Sequence, residues 1–430
     1  MNNMKNKILD VLGCRPIVIW GARMTGVGFL RFSVKNGLHV IHFVDSDPSL
    51  ENSKIHDIPV ARPDYIQQLR ARYKDLIVLI AVSIKEDEII DVLKKMGLTE
   101  NDYVKYADFC GYFFTIDVAG VCNLKCPSCG NSIDGIDNPK GFMSFDDFKK
   151  VAKKMMDETG LVSHINLYSW GEPFLHPDLA SIIEHTHSLG VAAAVSTNLS
   201  IPSLDKIEKI IRSDPDYLKI SVSGYCSEVY NTTHTGGDIE LIKTNMRKLR
   251  EFIDKYRVST VVEVIYHLYA NNTGDDLTKM KKLCDDLGFV FATCYANITP
   301  IERLIDYCEG RPDKQVRELS DLLLVNIDEA LEVTKGYRNS PCRFLTNQVN
   351  INWDRSVPLC CVCFDYKTST VSADYLKDSL EDIFNKRKNH PICVKCMKYG
   401  FPPYLLGVNQ KGWQKVADEK LSGIRDVKNR

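Results

Sequence analysis

Residues Thr115–Gly135, TIDVAGVCNLKCPSCGNSIDG, run from a strand-like pattern straight into three cysteines, Cys122, Cys126 and Cys129, spaced C-x3-C-x2-C. Clustered cysteines outside an oxidising compartment more often serve metal or redox chemistry than disulfides. A closed site takes four ligands: zinc knuckles pair two C-x2-4-C units, and ferredoxin runs bring a fourth cysteine near. Here no histidine or fourth cysteine stands close by. A loop this compact wraps one [4Fe–4S] cubane by three irons and leaves the fourth open to an outside ligand, which suits a reactive site.

Working outward, the strand YFFTIDV enters the loop, and Ser144 opens the next helix in a capping-box-like pattern with Asp147. Strand and helix patterns then alternate: HINLYS, DLASIIEHTHSLG, VAAAVS, LDKIEKIIRS, YLKISVS, IELIKTNMRKLREFI, STVVEVIYHLY, DLTKMKKLCDDLG and FVFATCY. That makes six strands with crossovers, which right-handed connections roll into a full or partial β/α barrel over 111–325, with the cysteine loop at its C-terminal mouth. Residues 1–110 carry a βαβ rhythm through PIVIWGARMTGVGFLRFSVKNG, HVIHFVDSDP and DLIVLIAVSI, so the spacing predicts a Rossmann-like doubly wound sheet. After residue 325 the rhythm stops, and 326–405 is cysteine-rich with short strand-like runs. Residues 406–430 read as a polar tail, a surface helix or frayed end. The expected fold class is α/β in three parts.

The chain has 430 residues, 44% of them apolar, and a formal net charge of -1. It is long enough for two or three domains. Nothing global points to nucleic acid or an anionic membrane surface as a partner. The first residues lack the sections of a secretory signal, and no apolar run spans a bilayer, so the expected location is cytoplasmic. Of the fifteen cysteines, Cys14, Cys110, Cys284 and Cys308 stand alone and read as small buried apolar residues. His185 and His187 lie two apart on a helix pattern and do not form a metal pair.

C-x3-C-x2-C after a first strand resembles the signature of the radical S-adenosylmethionine (SAM) enzymes. The resemblance implies that the open iron binds the amino and carboxylate groups of SAM. An electron from the cluster then cleaves SAM to a 5'-deoxyadenosyl radical that abstracts a substrate hydrogen. It further implies SAM contacts at three later strand ends: Gly171-Glu172-Pro173 for the amino group, Ser196-Thr197-Asn198 for the ribose, and Ser221 and Ser223 for carboxylate or ribose. One departure is Ser128, where the family has an aromatic residue near the adenine.

Cys342, Cys360, Cys393 and Cys396 supply four more thiols, a bare pattern that fits zinc or [4Fe–4S] alike. Behind a radical SAM barrel this set resembles the twitch domain, a trimmed relative of SPASM, which implies one auxiliary [4Fe–4S] cluster. Cys361 and Cys363 compete with Cys360, chosen by spacing. Such a cluster accepts an electron from a substrate radical, giving a net two-electron oxidation. The expected function is therefore a radical SAM oxidoreductase acting on a polar small molecule, a sugar or nucleotide-sugar, with a flavodoxin or ferredoxin-type electron donor. Alternatives are an epimerase, with Cys226 as hydrogen donor and Cys294 as second candidate, and a peptide maturase. The rival outside catalysis is an electron-transfer or zinc-structured binding protein.

WGARMTGVG resembles the dinucleotide fingerprint G-x-G-x-x-G through Gly21 and Gly26, with Asp45 ending the next strand. Its middle glycine is Arg23, which argues against NAD and leaves a phosphate or carboxylate as the partner of that arginine. Tyr266 and His267 end the fifth barrel strand, where the histidine is placed to face substrate.

Overall fold

The computed structural model describes residues 4–82, 86–342 and 344–428. The N-terminal section forms a six-stranded sheet from β1 (Ile17–Trp20), β2 (Val40–Val44), β3 (Lys54–Ile55), β4 (Ile58–Ala61), β5 (Ile77–Ile80) and β6 (Tyr103–Lys105), in the order β3-β4-β2-β1-β5-β6. All its pairings are parallel except the β3–β4 hairpin. Central β1 and β5 are buried at every residue, as continuous apolar strands covered on both faces must be. Ser83 and Ile84, the end of the DLIVLIAVSI run, lie outside the described residues.

The second sheet carries the cysteine loop. It comprises β7 (Phe113–Ile116), β8 (His164–Asn166), β9 (Ala192–Thr197), β10 (Tyr217–Val222), β11 (Val261–Leu268) and β12 (Val290–Tyr295), paired side by side in sequence order and all parallel. These are the six strands expected from the alternating patterns. A seventh was not expected: β13 (Gln348–Ile351), from the cysteine-rich section, pairs parallel with β7 through Gln348–Phe113 to Ile351–Ile116.

Strand alternation sorts the side chains. Phe114, Ile116, Ile165, Val195, Leu218, Ile220, Val264 and Val349 join the large core beneath the helices. The helix Phe145–Thr159 contributes Phe148, Val151, Ala152 and Met155 to that core, a spacing that puts them on one face. Each large side chain there is worth about 1.5–3 kcal/mol on burial. Ser144 caps the helix by accepting from Asp147 N at 3.1 Å, and Gly160 ends it in the left-handed conformation with φ 72°. The Asp147 carboxylate does not return the capping bond; it meets Arg355 Nη1 at 2.7 Å.

The N-terminal sheet docks on the end of the barrel opposite the cysteine loop. Gly28 of the helix Met24–Asn36 lies so close to Ser163 that an added Cβ would stand 2.2 Å from its carbonyl oxygen. Beside it, buried Asp216 accepts from Arg31 Nε at 2.8 Å, His187 Nε2 at 2.9 Å, His56 Nε2 at 3.2 Å and Ala193 N at 2.9 Å. His187 is thus a strut, and His185 packs edge-on against Phe145 and Phe148. The tail forms a helix, Gln410–Lys428, that buries Trp413 and Ala417 in a third core with Phe401 and Tyr404. Among the described residues no helix is long and apolar enough to cross a membrane.

Burial opposes the charge on Asp216, but hydrogen bonds from His187 and His56 and the Arg31 charge overcome it and hold the carboxyl well below its usual range. Its contribution is therefore complete above the unfolded-state value of about 3.9 and is lost as pH falls below it. Asp216→Ala should cost about 3–5 kcal/mol, because His187, His56 and Ala193 N lose their buried acceptor and Arg31 keeps only Asp214. Urea denaturation at neutral pH and near pH 3 checks both points: the gap between variant and parent should shrink in acid.

Candidate metal and SAM site

The loop after β7 holds Cys122, Cys126 and Cys129, all half-buried. Nitrogen donors converge on their sulfurs: Leu124 N lies 3.4 Å from Cys122 Sγ, Asn198 Nδ2 lies 3.8 Å from Cys122 Sγ, and Asn131 Nδ2 lies 3.9 Å from Cys129 Sγ. Burial pushes the Cys122 thiol up to about 12 and raises Cys126 and Cys129 as well. Three soft sulfurs, costly to ionise alone but supplied with N–H donors, fit a positively charged iron–sulfur core.

Neighbouring segments hold the loop in place. Gly171 packs so tightly on it that an added Cβ would lie 1.5 Å from Ala119 O. Glu172 is 2% exposed. Its carboxylate accepts from Phe174 N at 2.9 Å, Thr197 Oγ1 at 2.7 Å and Asn198 N at 2.7 Å, tying the end of β8 to the end of β9. Burial pushes its pKa up to about 7 against those three donors. Pro173 opens a short 3-10 turn behind it. Asn198 bonds Asn123 Oδ1 at 2.9 Å and Ser200 N at 2.8 Å. Gly171-Glu172-Pro173 and Thr197-Asn198 therefore meet at the cysteine loop, with the polar side chains used in bracing.

The inner face of the sheet is polar. Register places Asn350 beside Thr115, Thr115 beside Asn166, and Lys219 between Ser196 and Glu263; Ser221 neighbours Ile265, and His267 neighbours Cys294. A filled β/α barrel packs this space with branched apolar side chains. Here both side-chain atoms of buried Asn350 and Oδ1 of buried Asp117 have no partner. Burial pushes Asp117 up to about 6, although Oδ2 accepts from Trp170 N at 3.0 Å. Ser196 and Ser221 are half-buried on this face.

Two candidates point elsewhere. Ser223 is buried in a cluster with Thr233 and with His234 Nδ1 at 2.7 Å. Cys226 donates to Asp276 Oδ1 at 2.8 Å, and that same carboxylate takes Tyr266 OH at 2.7 Å on the helix-covered side. The Asp276 hydrogen bond, then burial, raises the Cys226 thiol. Cys294 instead shares the inner face with His267, near Lys219 and Glu263, and burial pushes it up to about 11.

Tyr269 was not legible as a site residue. It is 3% exposed and lies near the Ser128 side chain and Cys126, so an aromatic ring reaches Ser128 from the end of β11. Arg303, also unforeseen, donates from Nη1 to Pro127 O at 2.8 Å and pairs with Asp313 at 3.2 Å, holding the loop's backbone from below.

The later cysteines gather around a second cavity, of about 30 Å³, whose wall includes Cys342, Cys360, Cys363, Cys393 and Cys396. Cys361 turns to Cys360 and Gln348. Backbone N–H groups of Phe344 and Leu345 serve the Cys342 sulfur, and that of Val362 serves Cys360. This thiol-rich set with N–H donors again fits an iron–sulfur cluster. Among the described residues no group of three or more His, Cys, Asp or Glu is gathered tightly enough for a single metal ion.

In the N-terminal fingerprint, the Asp45 carboxylate accepts from Ala22 N at 2.8 Å and Asp47 N at 2.9 Å, so it closes the turn on itself. Arg23 pairs with Asp47 at 2.8 Å and reaches Tyr217 of β10.

Comparison with known proteins names the class. Residues 116–284 match the radical SAM superfamily. It is 26% identical over 172 residues, 39% of its length, to an AdoMet-dependent heme synthase of Methanosarcina barkeri, covering 46% of that protein. A tRNA 4-demethylwyosine synthase of Pyrococcus horikoshii is 28% identical over 25% of the chain and 30% of its own length. The chain thus spans less than half of the curated relatives it matches. Among solved structures, Streptococcus suis SuiB bound to S-adenosylmethionine aligns over 73% of this chain and 79% of that one, with 13% identity and a TM-score of 0.44. Members of the superfamily are enzymes that bind a [4Fe–4S] cluster and SAM, act on a substrate and draw on an electron donor.

Two substitutions test the bracing. Gly171→Ala should cost about 1–3 kcal/mol of stability by overpacking and lower the iron retained after reconstitution. Glu172→Gln places an amide donor against a donor and should cost about 1–3 kcal/mol. Because the folded pKa lies above the unfolded one, Glu172 favours the folded state more as pH falls from about 7 towards about 4.3. Thermal unfolding across that range should show the slope in the parent and lose this component in the glutamine variant.

Proposed function

We propose that this protein is a radical SAM oxidoreductase of a polar small molecule, with a sugar or nucleotide-sugar as the substrate class. The observation that carries the reading is the polar inner face of the second sheet, with the unpartnered Asn350 side chain and the unpartnered Oδ1 of Asp117. Buried polar groups without partners are costly, and a hydroxyl-rich ligand or its ordered water satisfies them. In this reading Cys122, Cys126 and Cys129 hold the catalytic cluster, and Cys342, Cys360, Cys393 and Cys396 hold the auxiliary one. The catalytic cluster with SAM supplies a 5'-deoxyadenosyl radical, and the auxiliary cluster supplies an electron acceptor.

The chain's own residues then divide the work. Gly171 lets backbone groups of the β8 loop approach SAM, Glu172 keeps that loop against β9, and Ser196 and Ser221 offer hydroxyls on the inner face. The Tyr269 ring stands in for the aromatic missing at Ser128. Lys219, Glu263 and His267 line the chamber and orient polar substrate groups. A flavodoxin or ferredoxin-type protein delivers the first electron, and the protein works in the cytoplasm. The domains divide at 1–110, 111–325, 326–405 and 406–430, with β13 as the part of the third that completes the second.

One observation favours a second reading. Cys294 faces the chamber, whereas Cys226 is bound to Asp276. In an epimerase Cys294 would be the hydrogen donor: its S–H bond breaks as a substrate C–H bond forms, and one electron from a reductant together with a proton from water restores the thiol from the thiyl radical.

Anaerobic reconstitution with iron and sulfide should give about eight irons per chain. Reduction with SAM should then release 5'-deoxyadenosine, and Cys126→Ala should abolish that release. Zinc alone with no 5'-deoxyadenosine would sink the proposal. Cys226→Ala should leave turnover unchanged. A Cys294→Ala variant that forms an oxidised product at the parent rate supports dehydrogenation, whereas loss of product with continued 5'-deoxyadenosine release supports epimerisation.

A further inference from the structure

Arg387, at the end of the helix Leu380–Arg387, is 1% exposed and ranks among the largest side chains the fold buries completely. Its guanidinium donates to the carbonyl oxygens of Gln348 and Pro358, the latter at 3.2 Å, and the Phe384 ring lies 5.4 Å away. Nε has no acceptor. No carboxylate is among these partners. An arginine stays protonated in a protein, and removing it from water costs several kcal/mol unless a counter-charge is near.

The acidic groups that act most strongly on Arg387 are thiols: Cys360, Cys393, Cys361 and Cys363. Neutral thiols offset nothing. Four thiolates around a [4Fe–4S] core sum to a net charge of about -2 when oxidised and about -3 when reduced. Such a group is the counter-ion the guanidinium lacks, and the added charge on reduction makes their attraction larger in the reduced state. The two carbonyls that fix Arg387 belong to β13, docked on β7, and to the segment two residues before Cys360. The cation is therefore held rigidly between the barrel and the second cysteine set.

We propose that Arg387 is a positioning residue for the auxiliary cluster: it supplies the cluster's buried counter-charge and raises its reduction potential, favouring electron uptake from the chamber. This inference rests on the auxiliary-cluster reading. It concerns a residue outside the cysteine motifs and requires no contact between Arg387 and the substrate.

The test uses the reconstituted full-length protein and a redox titration followed by electron paramagnetic resonance, with Arg387→Met, Arg387→Gln and Arg387→Lys beside the parent. Metal analysis of the parent comes first: about four irons, or zinc in the second site, overturns the auxiliary-cluster reading itself and this inference with it. With about eight irons, the Met and Gln variants should shift the auxiliary reduction equilibrium at least tenfold toward the oxidised form, about 59 mV for one electron. Lys should restore most of the shift, and the signal of the SAM-binding cluster should not move. An auxiliary potential unchanged in Met and Gln, or lowered equally in Lys, overturns the inference while leaving the cluster reading intact. If Met fails to fold, the Gln and Lys pair still decides.

Discussion

Everything around the cysteine loop depends on how closely backbone approaches backbone and ring there. Gly171 lies against Ala119, Gly120 and Gly141 enclose the Trp353 indole, and Gly130, next to Cys129, lies under the Phe364 ring. An added Cβ would stand 2.1 Å from Trp353 and 2.3 Å from Phe364. Native cores do not accommodate such contacts, so these positions need glycine for lack of space and not for an unusual φ. The aromatic residues come from the cysteine-rich section. That section also adds β13 to the sheet, and Trp170 Nε1 donates to Cys363 O at 3.1 Å across the same junction. The two cysteine sets are thereby fixed on one rigid frame.

The same junction explains the polar inner face of the sheet. β13 pairs with the first strand, so Asn350 lands on the inner face beside Thr115, while Val349 and Ile351 enter the core under the helices. A strand with two apolar residues outward and an asparagine inward is well patterned for one face buried and one facing a ligand. Opposite, β12 ends the row as an edge strand, where Cys294 and Tyr295 meet the C-terminal helices near Trp413 and Gln414.

Much of this was legible locally. Apolar runs such as IVIW and YLKISV announce buried strands because burial of alternate or successive residues leaves a period in the sequence. Three cysteines in one loop announce a metal because no other packing needs them so close. What stayed hidden is non-local. β13 is four residues long, and its pairing with β7 leaves no local period. Tyr269 reads as an ordinary core tyrosine until the end of β11 is brought to Ser128. Glu172 sits in a motif that draws attention to a ligand, yet its carboxylate serves backbone N–H groups that no sequence pattern displays. Arg387 resembles a solvated charge at a helix end, as NKRKNH reads in sequence, and only the fold buries it.

The second thiol set has a buried cation beside it as well as a carboxylate. At the first, Cys122 feels the Glu172 carboxylate and Cys129 that of Asp117, both acting against negative charge on sulfur, and the donors to sulfur are neutral amides. At the second, Cys363 feels the Glu302 carboxylate, and Cys360 and Cys393 feel the buried Arg387 cation. Coulomb interactions of buried groups are weakly screened, so this asymmetry persists at ordinary ionic strength. Anionic surroundings disfavour an added electron and cationic surroundings favour it. The Arg387 guanidinium therefore favours negative charge on the second set of sulfurs.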